Sequence, residues 1–129
     1  MRSSVVQRDY EIMVSLPRKY SESGTHPVLY VLDANGAFPI AVEMTRFLSF
    51  DPSMKEEPII VGIGYPVGRY WNTIPHRTRD FTPTAHPETV ARWGKEYEFT
   101  PDGSGGAAKF LQALAEEIIP LVEGRYRID

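Results

Sequence analysis

The 129-residue sequence has no cysteine, so it can form no disulfide and offers no thiolate to a metal. It has no apolar run near the roughly 20 residues of a membrane span, and Met1-Arg2-Ser3-Ser4 lacks the apolar core of a signal peptide. The expectation is a soluble, cytoplasmic protein with no membrane partner. Basic charge is scarce: the net charge is −3 and the pI about 5.6, with no basic stripe, which argues against nucleic acid. No His-x-x-x-His or Asp-x-Asp spacing suggests a metal, and no Gly-Lys-Ser/Thr follows Gly103–Gly106 to make a phosphate loop. No cofactor is expected. Nothing repeats internally, and the length fits one domain over residues 1–129.

What is present is organised around His26-Pro27-Val28-Leu29-Tyr30-Val31-Leu32-Asp33-Ala34-Asn35-Gly36. Five apolar residues between Pro27 and a turn are too few for a helix and read as a strand buried on both faces. The turn leads into an amphipathic helix predicted over Phe38–Phe50, with Pro39 setting its first turn. Before this strand, Val5–Leu16 alternates polar and apolar residues in its middle and reads as an antiparallel or edge-side strand with one wet face. Pro17 ends it, and Arg18–Thr25 forms a hairpin-like loop. Pro58–Pro66 is a second buried strand, whose Gly62 and Gly64 mark the close approach of another backbone or a ligand.

From Val67 to Gly103 no period is sustained, and a short helix over Pro87–Tyr97 is the single element predicted. A stretch of this length in a compact domain is a functional loop or hides a missed element. Ser104-Gly105-Gly106 then opens a helix with Phe110, Leu111, Leu114, Ile118, Leu121 and Val122 at three- and four-residue steps. Pro120 should kink it. Arg125–Asp129 reads as the approach to a further strand.

Several segments, in order, resemble the α/β-hydrolase family that includes esterase D and the enterobactin and salmochelin esterases. They are Tyr10-Glu11-Ile12-Met13-Val14-Ser15-Leu16-Pro17, Val28–Asn35, Ile59–Tyr65, Arg77-Thr78-Arg79-Asp80-Phe81-Thr82-Pro83, Gly105-Gly106-Ala107, Phe110-Leu111 and Glu117-Ile118-Ile119-Pro120. No single motif is specific; their order and spacing over almost the whole chain carry the match. The resemblance implies a three-layer α/β/α sandwich with a mostly parallel sheet, the N-terminal half of an α/β-hydrolase fold. It implies the spatial order Tyr10 strand, Ile59 strand, Val28 strand, with the Val28 strand outermost. In the family, the strand after the Glu-Ile-Ile-Pro helix leads to a Gly-x-Ser-x-Gly elbow, and the acid and histidine follow later. None of the three triad members is therefore expected in these residues.

Asn35 is the leading site candidate. In α/β hydrolases one oxyanion-hole N–H comes from the loop after a strand end and the other from the residue following the nucleophile. By position the backbone N–H of Asn35 fits the first role; equally, Asn35 could simply make the turn. Arg77 and Asp80 are candidate substrate contacts in a complete family member, although the Arg77–Asp80 run reads first as an Arg–Asp tie for the long loop. His76 and His86 complete this polar cluster, where a histidine near an acid could be a base or merely solvated. Ser104 is set aside as a nucleophile, because Asp102 occupies the first glycine position of an elbow and no buried strand precedes it. Trp71 and Trp93 read as anchors of the long stretch, with pocket lining as the alternative.

The expected function is a truncated carboxylic-ester hydrolase, inactive alone, with a small ester as substrate only once a second half completes it. A non-catalytic homo-oligomeric binding module is the alternative, and a weak esterase with an improvised site the third. The expected partner is a second copy, paired antiparallel along the Val28–Leu32 strand to give a six-stranded sheet, because that edge carries no lysine or inward charge to defend it.

Overall fold

Ile59-Ile60-Val61-Gly62-Ile63-Gly64 is β-branched at four of six positions, which favours a strand, and every residue of it is buried. In the computed structural model, which describes residues 1–129, this strand (β3, Ile59–Gly64) is the centre of a three-stranded sheet. On one side it pairs antiparallel with β1 (Glu11–Ser15), from Glu11 opposite Gly64 to Ser15 opposite Ile60. On the other it pairs parallel with β2 (Val28–Val31), from Val28 opposite Ile59 to Val31 opposite Gly62. The order β1–β3–β2 is the one the family resemblance implied.

The residues group into two units, one of Met1, Tyr10–Gly64 and Pro120–Asp129, the other of Arg2–Asp9 and Tyr65–Ile119. In the first, α1 (Ala34–Leu48) packs on one face of the sheet. A Cβ added at Gly62 would stand 2.6 Å from the Phe38 ring and 2.8 Å from Ala34 Cβ, and one at Gly64 would stand 2.6 Å from Asn35 Oδ1. The two glycines thus let the start of α1 lie directly on β3. On the opposite face, Ile59 and Val61 pack with Val122, joined by Ile12, Val14, Val28, Tyr30, Tyr126 and Ile128. Helix, sheet and helix make the three expected layers.

Two expectations in this unit are corrected. Strand β2 is not buried on both faces: Leu29 is 46% exposed and Leu32 lies open, because β2 has a full strand partner only in β3. Helix α1 starts at Ala34, four residues before the predicted Phe38, because Asp33 takes a left-handed turn (φ 54°) and its carbonyl accepts the Gly36 and Ala37 N–H groups at 3.0 Å. Pro39 therefore lies inside the helix, just past its first turn. The approach to a further strand is present. His26 donates its N–H to Arg127 O at 2.9 Å, Asp129 donates to His26 O at 3.0 Å, and His26 and Ile128 form a parallel rung.

In the second unit the stretch without a sequence period is largely helical. A 3₁₀ turn at Tyr70–Thr73 leads into α2 (Ile74–Phe81), and α3 (Pro87–Tyr97) occupies the predicted range. Helix α2 escaped the sequence because its buried residues include Arg79 and Asp80, so the inward face is not apolar. The last helical run comprises α4 (Ala107–Ala113), a π turn (Leu114–Ile118) and α5 (Ile119–Glu123), of which Pro120 onward belongs to the first unit. Ile119 donates to Leu114 O, five residues back. Pro120 has no N–H, and its ring crowds the carbonyl four residues earlier. A widened turn there takes the place of the expected kink.

Gly62→Ala should cost about 1–3 kcal/mol by overpacking against Phe38 and Ala34. Gly24→Ala, where nothing lies within 4 Å of the added methyl, should leave stability nearly unchanged. Urea unfolding of the two variants beside the parent reads the difference, and equal midpoints would refute the close-approach role of Gly62.

Candidate functional site

Each unit holds one feature with chemical potential. In the first, β2 ends in the left-handed Asp33, and the chain enters α1 within one residue. Asn35 is the second residue of that helix. Amides of a first helical turn point out along the axis, and the helix dipole places partial positive charge there. An N–H so placed at a strand end suits a developing oxyanion. The Asn35 carboxamide lies against the backbone of Gly64, the last residue of β3, where any added side chain would displace it. The turn is made at Asp33, not at Asn35, whose amide belongs to the first turn of α1.

In the second unit, α2 buries a pair of opposite charges. Arg79 Nε donates to Asp80 Oδ1 at 2.6 Å, and the Tyr65 hydroxyl donates to Asp80 Oδ2 at 3.1 Å. Asp80 is 1% exposed and Arg79 7%. Removing one partner of such a buried pair leaves an uncompensated charge, which is far more costly than the pair is stabilising. The pair is buried rather than solvated, and it joins neighbouring residues of one helix, where a tie across the long stretch was expected. Arg77, the other named substrate contact beside Asp80, places its guanidinium 5.6 Å from the centre of the Phe81 ring. Gly106 packs against Arg79, its N–H donating to Arg79 O at 2.8 Å. Gly105, at φ 82°, lies on the backbone of Ala85, and its N–H donates to the Thr82 hydroxyl at 2.7 Å. The glycine run is a joint onto α2. Ser104 accepts the His86 N–H at 2.8 Å, just before α3.

Beside the pair lies a cleft of about 640 Å³, walled by Trp71 and Tyr97, with Arg8, His76 and Arg79, and with Glu96 and Glu98. Arg8 is paired with Asp102 at 3.1 Å, so both guanidinium groups already face carboxylates. His76 stacks on Tyr65 with ring centres 5.1 Å apart. Burial holds its pKa below the ordinary value near 6.5, helped by the Arg79 charge and opposed by Asp80. The imidazole is therefore neutral at pH 7, stacked on one aromatic face. The Thr100 hydroxyl donates to Asp102 at 2.6 Å. Such a cleft is fitted to hold an aromatic, polar ligand. Trp71 is largely exposed and is part of this wall, not a core anchor; Trp93 lines a separate hollow with Ile74 and Phe99. Arg8 and Tyr97 were not legible as cleft residues, since they lie some ninety positions apart. No cluster of three or more His, Asp or Glu is placed to hold a metal ion.

The pKa of His76 is depressed because the charged form is disfavoured in the folded state, so its contribution to stability is present above pH 6.5 and falls as the pH drops below that value. By ¹H–¹³C NMR, the His76 ring should titrate below 6.5, and His76→Gln should flatten the decline in stability between pH 6.5 and 5. A His76 midpoint at or above 6.5 would contradict its half-buried placement beside Arg79.

Comparison with known proteins agrees with this architecture. The family model described as Putative esterase matches residues 3–129. The chain is 34% identical over its whole length to the ferri-bacillibactin esterase BesA of Bacillus subtilis, of which it covers 44%. It is 31% identical to a siderophore enterobactin esterase of Emericella nidulans, the match covering 88% of the chain and 39% of the relative. Among solved structures, the BES protein of Bacillus cereus superposes with a TM-score of 0.76 at 31% identity, over all of the chain and 45% of that protein. The chain spans less than half the length of these relatives. With the matched order of strands and helices, these likenesses establish that the chain belongs to this esterase family of α/β hydrolases.

Proposed function

We propose that the chain is the part of a carboxylic-ester hydrolase that supplies one oxyanion donor and an aromatic cleft, and that it does not turn over esters by itself. The observation that carries this reading is the family match over residues 3–129 in a chain without any Gly-x-Ser-x-Gly sequence. In the reaction, a nucleophilic serine adds to the ester carbonyl, the carbonyl oxygen takes up negative charge, and the alcohol leaves with a proton from the general acid. The Asn35 N–H would hold the developing charge together with the N–H that follows the serine. One such donor is worth about 3–4 kcal/mol of transition-state stabilisation. The serine, its base and its acid would come from residues beyond those present.

Two of the relatives are named as siderophore esterases, which supports an ester of that class as the substrate. An ester of that class with aromatic, polar groups would suit the cleft that Trp71, Tyr97 and the neutral His76 line; Asp80, buried and held by Arg79 and Tyr65, would act on such a ligand only by fixing these neighbours. Aromatic faces contribute stacking of about 0.5–1.5 kcal/mol per ring beyond the area they cover.

The test is turnover of p-nitrophenyl acetate and labelling by a fluorophosphonate probe. The 129-residue protein should show neither above an equal concentration of free histidine. Joined after Asp129 to the remainder of the B. subtilis relative, the same residues should acquire both. Labelling of the isolated chain, abolished by Ser104→Ala, would instead support the improvised-site alternative and overturn this proposal.

A further inference from the structure

We infer that Glu117 is a positioning residue for the aromatic cleft: it grips the turn Ser3–Arg8 and so sets the Arg8 guanidinium in the wall that this cleft shares with His76. The inference deepens the reading of the cleft as a ligand site and rests on it. It is carried by hydrogen bonds that all lie within the second unit.

Four donors of the N-terminal turn converge on this one carboxylate. The Ser3 and Ser4 hydroxyls donate to its two oxygens, and the Ser4 and Val5 N–H groups donate to Oε1 at 2.8 and 3.3 Å. Ser3 is fully buried there. The bonds favour the ionised form and hold the Glu117 pKa below its ordinary value, the Ser3 and Ser4 hydroxyls foremost. A carboxylate suits the task, since it accepts at both oxygens and has no hydrogen to set against the donors. Glu117 reaches the turn from the π turn Leu114–Ile118, a widened form of helix that often marks a functional position.

From Ser3 the grip passes directly to Arg8. Ser3 donates its N–H to Arg8 O at 2.8 Å, its hydroxyl accepts the Val6 N–H at 3.0 Å, and its carbonyl accepts the Gln7 N–H at 3.0 Å. Gln7 is left-handed (φ 60°) and turns the chain just before Arg8. At its far end Arg8 meets Asp102 at 3.1 Å, an exposed pair too weak to fix the backbone behind it. Burial and the Arg79 charge disfavour the His76 cation, Asp80 favours it, and the Arg8 charge adds to the first two. Glu96, Tyr97 and Glu98 line the same cleft, and Tyr65 stacks on the imidazole. A neutral imidazole keeps one donor and one acceptor for a polar ligand. Glu117 thus acts on the cleft from outside its walls.

The test is the titration midpoint of His76, read on native-state ¹H–¹³C cross-peaks of the 129-residue protein. Through space, removing a carboxylate lowers that midpoint, because a negative charge favours the imidazolium. Displacing the Arg8 cation raises it, so the two effects have opposite signs. Glu117→Ala should shift the midpoint upward, as Arg8→Ala does, and should add nothing in an Arg8→Ala background. Glu117→Gln keeps the shape and one accepting oxygen; it should give a smaller upward shift, and it carries the test if the alanine variant does not fold. Glu116→Gln, at an exposed neighbour bonded to Gln112, measures the direct charge effect and should leave the midpoint unchanged or slightly lower. A midpoint that falls or stays with the Glu117 variants would overturn the proposal. So would an upward shift that persists in full without Arg8, or an Arg8→Ala variant that leaves His76 unmoved. Ester turnover plays no part in these readouts, so a failure of the hydrolase reading would leave the role of Glu117 standing.

Discussion

Every backbone N–H and C=O of a strand must find a partner or stay in water. The first unit is arranged around how far that rule is met. Strand β3 meets it on both sides and is buried along its whole length. Strand β2 meets it on one side, and only His26, before it, has begun to meet it on the other. The half-exposure of Leu29 follows directly from that imbalance. The same apolar residues that would be inner core in a wider sheet are here its margin.

The second constraint is steric. Gly62 and Gly64 stand on one face of β3, two residues apart, and the face they leave bare is filled by Ala34, Asn35 and Phe38. The position of the Asn35 amide thus depends on residues thirty positions downstream. In the second unit the organising interaction is electrostatic. Arg79, Asp80 and Tyr65 form a buried, hydrogen-bonded set around which α2 and the glycine joint are packed, and His76 stays neutral in the same surroundings. These side chains stabilise by mutual satisfaction, which is why single replacements there are costly.

Most of the fold could be read from the sequence wherever pattern and burial coincide. The apolar run Ile59–Gly64, the alternation around Ile12 and Val14, and the helical steps from Phe110 to Val122 each announced their element, and the family resemblance supplied their order. Three features were hidden for physical reasons. Helix α2 turns a charged pair inward, so no hydrophobic period marks it. The left-handed turn at Asp33 lengthens α1 past a proline that would ordinarily mark its start. The π turn before Pro120 depends on a steric clash that composition cannot show. Near the end of β2, the place of Asn35 in the first turn after a strand was legible from the sequence. The cleft was not, because Arg8 and Tyr97 meet only through tertiary packing.

The central claim, that β2 is a strand paired on one side and open on the other, is tested most directly by amide hydrogen exchange in the isolated protein. The account predicts an alternation along β2: slow exchange at Leu29 and Val31, whose N–H groups face β3, and fast exchange at Val28 and Tyr30. Uniformly slow exchange from Val28 to Val31 in dilute, monomeric protein would contradict it.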